Sequence, residues 1–223
     1  MRLLLSSAGA GNARIHEALV AMLPRPIDEC TAVCIPTAMY GHPHAGPGKD
    51  VWEFVAGRSQ QPMAELGWKS VGLLELTAVP SVGTERWKDV VTAADVLLVS
   101  GGDALYLHHW MNESGLTALL PSLTDTVWFG MSGGSMVMTP RIGEWFVGWK
   151  PPSGGDRALG LVDFSIFPHL AHPALPSNTL EAAEQWAAGL GNPAYAIDDD
   201  TAITVVDGEV TVVSDGQWHR FEG

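Results

Sequence analysis

The chain has 223 residues, 46% hydrophobic and 17% charged, so it can bury a sizeable core, and its length calls for no second domain; a single α/β domain over residues 1–223 is expected. With 12 Lys and Arg against 25 Asp and Glu, the formal net charge is −13, which repels phosphate backbones and anionic membrane surfaces and argues against a nucleic-acid partner. No segment approaches the roughly 18 apolar residues of a membrane span, and the apolar run of "MRLLLSS" is shorter than the about 7 to 15 residues of a secretory signal core, so a cytoplasmic location is expected.

Apolar runs bounded by Gly, Ser or Pro alternate with segments of helical period, the pattern of a mostly parallel sheet covered by helices on both faces. "MRLLLSS", "TAVCIPT", "VGLLELTA", "DVLLVSGG" and "VWFGMS" read as strands. Val96 to Val99 is apolar without alternation, as a strand buried on both faces requires. Between them, "ARIHEALVAML", "VWEFVAGRSQQPMAEL", "ERWKDVVTAA" and "ALYLHHWMNESGLTALL" read as helices. "SAGAGN" after the first strand lacks the third glycine of a dinucleotide loop and reads as a tight turn. Cys30 and Cys34 lie within one strand-like segment, with neither zinc nor redox spacing, and read as buried thiols. After Pro140 come a Gly/Pro-rich loop, a short strand "FSIF", a helix "NTLEAAEQWAAGL" and two alternating runs, "AITVVDG" and "EVTVVSDG", that read as a C-terminal hairpin.

Gly130, Ser132 and Gly134 satisfy G-x-S-x-G, between a buried strand and a short helical segment ended by Pro140. A turn this sharp holds its serine in a strained conformation, and flanking glycines remove the Cβ atoms that would clash across it. Ser132 is therefore the candidate nucleophile. Gly133 N–H, at a helix amino terminus with its positive dipole end, is the natural first oxyanion donor. A second donor is expected from "SGGD", from Gly101 or Gly102, with Asp103 capping the helix that follows.

A nucleophilic serine needs a base, usually histidine. His42 and His44 sit in a Pro/Gly loop, His108 and His109 on a helix, and His219 in the polar tail. His169 instead ends the strand "FSIFPHL", where the ligand crevice of a parallel sheet forms; His172 is the alternative. Glu144 and Asp156, both between Ser132 and His169, are the candidates for the acid that orients the imidazole. The residues do not choose between them, and a Ser-His dyad stays open. Trp145 and Trp149 are candidates for lining a substrate pocket. No group of residues has metal-ligand spacing, and neither a metal nor another cofactor is expected.

The glycine pair with acid "SGGDALYL", the elbow "GMSGGS", and "LGLVDFSIFPH" bringing His169 37 residues after Ser132 together resemble the peptidase E family. The specific motifs run from about Val96 to His169, and the strand and helix order extends the likeness over the chain. The resemblance implies a serine peptidase on a glutamine-amidotransferase-like α/β fold, with Ser132 as nucleophile, His169 as base, an Asp or Glu completing the triad, and Gly102 and Gly133 as oxyanion donors. It implies small peptide substrates cleaved at a free amino end; better-known members remove an amino-terminal aspartate, and related cyanophycinases cut an aspartate-arginine polymer. Aspartate-specific members carry an arginine in the helix after the histidine, whereas residues 177–190 here contain neither Arg nor Lys. An unpaired carboxylate buried there would cost several kcal/mol, so aspartyl specificity is not expected.

Two other readings remain: a catalytically idle small-molecule or peptide binding module, and a glutamine amidotransferase half, which would need Cys at the elbow. The sequence leaves assembly into a homo-oligomer open.

Overall fold

A computed structural model describes residues 1–45 and 48–223, with Thr84 and Glu85 described through their backbone only. Five strands form the parallel part of the main sheet: β1 (Arg2–Ser6), β2 (Thr31–Ile35), β3 (Ser70–Leu73), β4 (Val96–Val99) and β5 (Val127–Met131). The hairpin β8 (Thr201–Val206) and β9 (Glu209–Ser214) extends it antiparallel to β1, giving the order β3-β2-β4-β5-β1-β8-β9. Asp207 and Gly208, with φ of 51° and 83°, make the two-residue hairpin turn whose twist matches the flanking strands.

Alternate residues of a strand face opposite sides of its sheet, and here both sides are core. Leu5, Ile35, Leu97, Val99 and Trp128 pack on one side with α2 (Thr37–Gly41), α4 (Thr84–Thr92) and α5 (Ala104–Ser114). Leu4, Cys34, Leu98 and Phe129 pack on the other with α1 (Ala13–Met22) and α3 (Lys49–Val55). Cys30 and Cys34 are free thiols within that second layer. Burial, reinforced by Glu65, pushes Cys34 up to about 12, which keeps it a neutral packing group.

Two helices are shorter than the periodicity predicts. α3 stops at Val55, and Gly57 follows in a left-handed conformation (φ 63°). The "ALYLHHWMNESGLTALL" segment divides at Gly115 (φ 84°) into α5 and a single turn, α6 (Leu116–Leu119). β6 (Ser165–Phe167) is not a strand of the main sheet. It pairs parallel with β7 (Ala194–Ile197), and β7 pairs with β10 (Trp218–Phe221) in a separate three-stranded sheet. α8 (Leu180–Ala188) covers that sheet with Ala183, Trp186 and Ala187. The chain returns to the main sheet through the turn Asp198–Asp200, held by Thr201 Oγ1 donating to Asp198 Oδ1 at 2.6 Å. Among the described residues no helix is long and apolar enough to cross a membrane.

Phe129 lies at the centre of β5, fully buried between β1 and β4. Phe129→Ala is expected to lower unfolding free energy by about 3–5 kcal/mol, measured by urea denaturation; a loss under about 1 kcal/mol would mean that the layer collapses into the vacated space.

Candidate active site

The elbow forms where β5 ends. Ser132 has φ 49° and ψ −112°, a conformation costly for a residue with a Cβ. The backbones around it approach so closely that a Cβ on Gly130 would lie 2.4 Å from Gly134 O, and one on Gly134 would lie 2.4 Å from Val99 O. The helix leading out, α7 (Gly133–Met136), has only four residues, too few for the expected macrodipole; any stabilisation of negative charge falls to individual N–H groups.

The SGGD loop, after β4, packs directly on this turn. Gly102 (φ 129°) sits against Ala38, and a Cβ on Gly133 would meet Gly102 O at 2.3 Å. Among the described residues the N–H groups of Gly102 and Gly133 donate to no acceptor, and Gly101, Gly102 and Ser132 line one open cleft. Asp103 is the N-cap of α5: its Oδ1 accepts from Tyr106 N–H at 2.8 Å, while Oδ2 accepts from Trp149 N–H at 2.6 Å.

His169 follows β6 and Pro168, itself in a left-handed conformation (φ 58°). Its Nε2 lies 3.0 Å from Ser132 Oγ, and its Nδ1 lies 2.6 Å from Asp199 Oδ1. An ionised carboxylate can only accept, so Nδ1 carries the ring proton and Nε2 presents a lone pair to the serine hydroxyl. A hydroxyl bonded to a neutral imidazole whose far nitrogen is held by a carboxylate is the arrangement that turns serine into a nucleophile.

Neither carboxylate weighed from the sequence meets the imidazole. Asp156 is buried, and both its oxygens take Arg141 Nε, at 3.0 and 3.1 Å, while Oδ2 also accepts from Gly143 N–H; it fastens the loop that follows Pro140. Glu144 is exposed in a 3-10 turn. The carboxylate at Nδ1 is Asp199, in the turn between β7 and β8 and beyond the histidine in the chain. A signal for it existed in "AYAIDDD": β6 and β7 run parallel, so acids just past β7 emerge beside His169. His172 does not approach Ser132; its Nε2 faces Asp199 Oδ2 at 3.5 Å. Trp145 borders the second cleft at the elbow, whereas Trp149 packs on Tyr106 and His109.

Ser7, just past β1, links these parts. Its buried hydroxyl donates to Asp199 Oδ1 at 2.9 Å and accepts from His169 N–H at 2.8 Å. Its neighbour Ser6 accepts, through its carbonyl, from Ser132 N–H at 3.0 Å and from Ser135 Oγ at 2.8 Å. The reading of this segment as a tight turn passed over both residues, because two serines after a strand carry no pattern of their own.

Burial pushes the Asp199 carboxyl up. The hydrogen bond and charge of His169, the Ser7 hydroxyl and the charge of His172 outweigh it and hold Asp199 below the usual carboxylate range. A carboxyl lowered on folding adds stability that is complete above its unfolded pKa of about 3.9 and is lost as pH falls through the folded value. Wild type is therefore expected to exceed Asp199→Asn in stability at pH 7, with the gap closing below about pH 4. Urea denaturation across this range checks it; a gap independent of pH would mean that the charge contributes nothing.

The model of peptidase family S51 matches residues 3–213, while no curated protein matches the chain. Among solved structures, the chain resembles a peptidase from an acI-B1 Actinobacterium, with TM-score 0.70 and 18% identity over 100% of this chain and 91% of that one. It also resembles a candidate peptidase E protein from Listeria monocytogenes EGD-e, with TM-score 0.65 and 18% identity over 96% of this chain and 98% of the other. At such identity the likeness carries the fold, and the family match carries the chemistry. A strained serine at a strand-to-helix elbow, met by an imidazole and a carboxylate from a neighbouring sheet, sits within that match: the chain belongs to peptidase family S51, the peptidase E family, and is a serine peptidase.

Proposed function

We propose that this peptidase cleaves short peptides at a free amino end, with Ser132, His169 and Asp199 as its catalytic residues. The observation that carries the reading is the unbroken chain of contacts from Ser132 Oγ to His169 Nε2 and from His169 Nδ1 to Asp199 Oδ1. Ser132 Oγ attacks the scissile carbonyl while Nε2 takes its proton, and Asp199 steadies the imidazolium that results. The N–H groups of Gly102 and Gly133 donate to the oxyanion of the tetrahedral intermediate. His169 then returns the proton to the leaving amine, and water repeats the sequence to release the acyl group.

Preference for a free amino end is supported by the open cleft beside Ser132, where Asp50 and Glu53 stand on the wall and no Lys or Arg is among the described lining residues. Glu53 also pairs with Lys49 at 3.8 Å. A carboxylate-bearing wall favours the cationic amino group of a short substrate.

A dipeptide and short-peptide library read by mass spectrometry tests this function. Wild type is expected to cleave, with Ser132→Ala lowering kcat by about 10⁴ or more and amino-terminal acetylation of the substrates reducing cleavage. Cleavage that survives Ser132→Ala would overturn the mechanism; indifference to acetylation would remove the amino-end requirement alone. Ser7 acts as a positioning residue: Ser7→Ala is expected to lower kcat by about 10–100-fold, with KM within about twofold. A rise in KM alone would place Ser7 in substrate binding instead.

A further inference from the structure

The second cleft at Ser132 differs in chemistry from the first. It encloses about 460 Å³, is lined in part by Ser132 and His169, and is walled by Met136, Ile142, Trp145, Phe146, Val147 and Leu175. Among the described residues its lining contains neither Lys nor Arg. Of its ionisable groups besides His169, Asp103 already accepts hydrogen bonds from Tyr106 and Trp149 N–H. His42 is held towards its neutral form, chiefly by burial and also by the nearby His44.

The wall is built rather than incidental. Phe146 packs edge-on against Phe167, with ring centroids 5.0 Å apart, and against Trp186 at 6.0 Å. Trp186 Nε1 donates to Ile142 O at 2.9 Å, and Gly143 (φ 77°) lies so near that indole that a Cβ would meet Nε1 at 2.2 Å. The helix that bears Trp186, α8, thus supports the cleft with an aromatic cluster. At the mouth Trp145 is 52% exposed and Leu175 is 40% exposed, apolar surface left for a ligand beside the reacting groups.

We infer that this cleft is the side-chain subsite of the peptidase and takes a large apolar residue, of phenylalanine or leucine type, next to the scissile bond. The inference rests on the catalytic reading of Ser132 and His169. An acidic side chain would lose its hydration there and meet no cation, whereas an aromatic ring would cover Trp145 and Leu175. Apolar specificity follows from replacing a charged anchor by a packed wall.

Two measurements test it separately from the hydrolytic mechanism. In a dipeptide series with Phe, Leu, Ala, Ser and Asp varied on either side of the bond, kcat/KM is expected to favour Phe or Leu over Asp by on the order of 100-fold at one position. Trp145→Ala is expected to lower the Phe-to-Ala ratio by about 10-fold; because Trp145 is half exposed, the fold does not depend on it. The second is binding of the same peptides to Ser132→Ala by calorimetry, with Phe peptides expected to bind at least about 10-fold more tightly than Asp peptides. Ser132-dependent cleavage that favours Asp, or equal binding of Phe and Asp peptides, overturns the apolar subsite and leaves the peptidase mechanism standing. Tight Phe binding with no cleavage would uphold the subsite and count against the mechanism.

Discussion

Ser7 Oγ donates one hydrogen bond and accepts another, and through them joins segments as far apart in sequence as Ser7 and Asp199, separated by 192 residues. Ser6 and Ser7 together close the carboxyl end of β1, a strand paired on both sides within the main sheet. Ser6 holds the backbone of Ser132, and Ser7 holds His169 and the Asp199 carboxylate. Ser132 follows a strand of the main sheet and His169 a strand of the smaller one, and this pair of serines ties the two together. A buried hydroxyl with both donor and acceptor satisfied is stiff, because moving it would strand polar groups away from water.

The fold was legible because burial on two faces leaves a strong mark on sequence. β4 and β5 are apolar without a break, and the helices between strands show their period. The elbow was legible for a related reason: only glycine tolerates backbones approaching to within van der Waals contact, so steric need was written directly into residue type at 130 and 134. His169 was singled out from its place at a strand end, and the fold brings it within 3.0 Å of Ser132 Oγ. The carboxylate beside its imidazole was missed, because carboxylates were sought between Ser132 and His169, whereas parallel pairing of β6 and β7 brings Asp199 from beyond the histidine. Sequence separation says little about distance in a sheet whose neighbouring strands are joined by long crossovers. The division into two sheets was hidden as well, since a three-residue apolar run has no feature that names its partner.

Charge and cavity chemistry bear on the same question from different sides. The net charge of −13 sets a field over the whole surface, yet the clefts at the site differ: one is walled by Asp50 and Glu53, the other mainly by apolar side chains. The reading as an idle binding module was favoured by the uncertain acid and by the missing arginine of residues 177–190; Asp199 at 2.6 Å from the imidazole answers the first of these. The amidotransferase alternative required a thiol at the elbow, and both cysteines lie in the packed layer beside α1.

Placing Asp199 in the turn between the two sheets has a consequence for biosynthesis. The serine is made long before the carboxylate, and the histidine stands between them in order of synthesis. Until β7, the turn and β8 have left the ribosome, a nascent chain can hold the elbow but not the full hydrogen-bonded relay. These are non-local contacts, which form late because loop closure must be met before they add stability. The hydrogen-bonded set of Ser132, His169 and Asp199 is therefore complete only with the last quarter of the fold, and a truncated or half-folded copy carries the elbow without it.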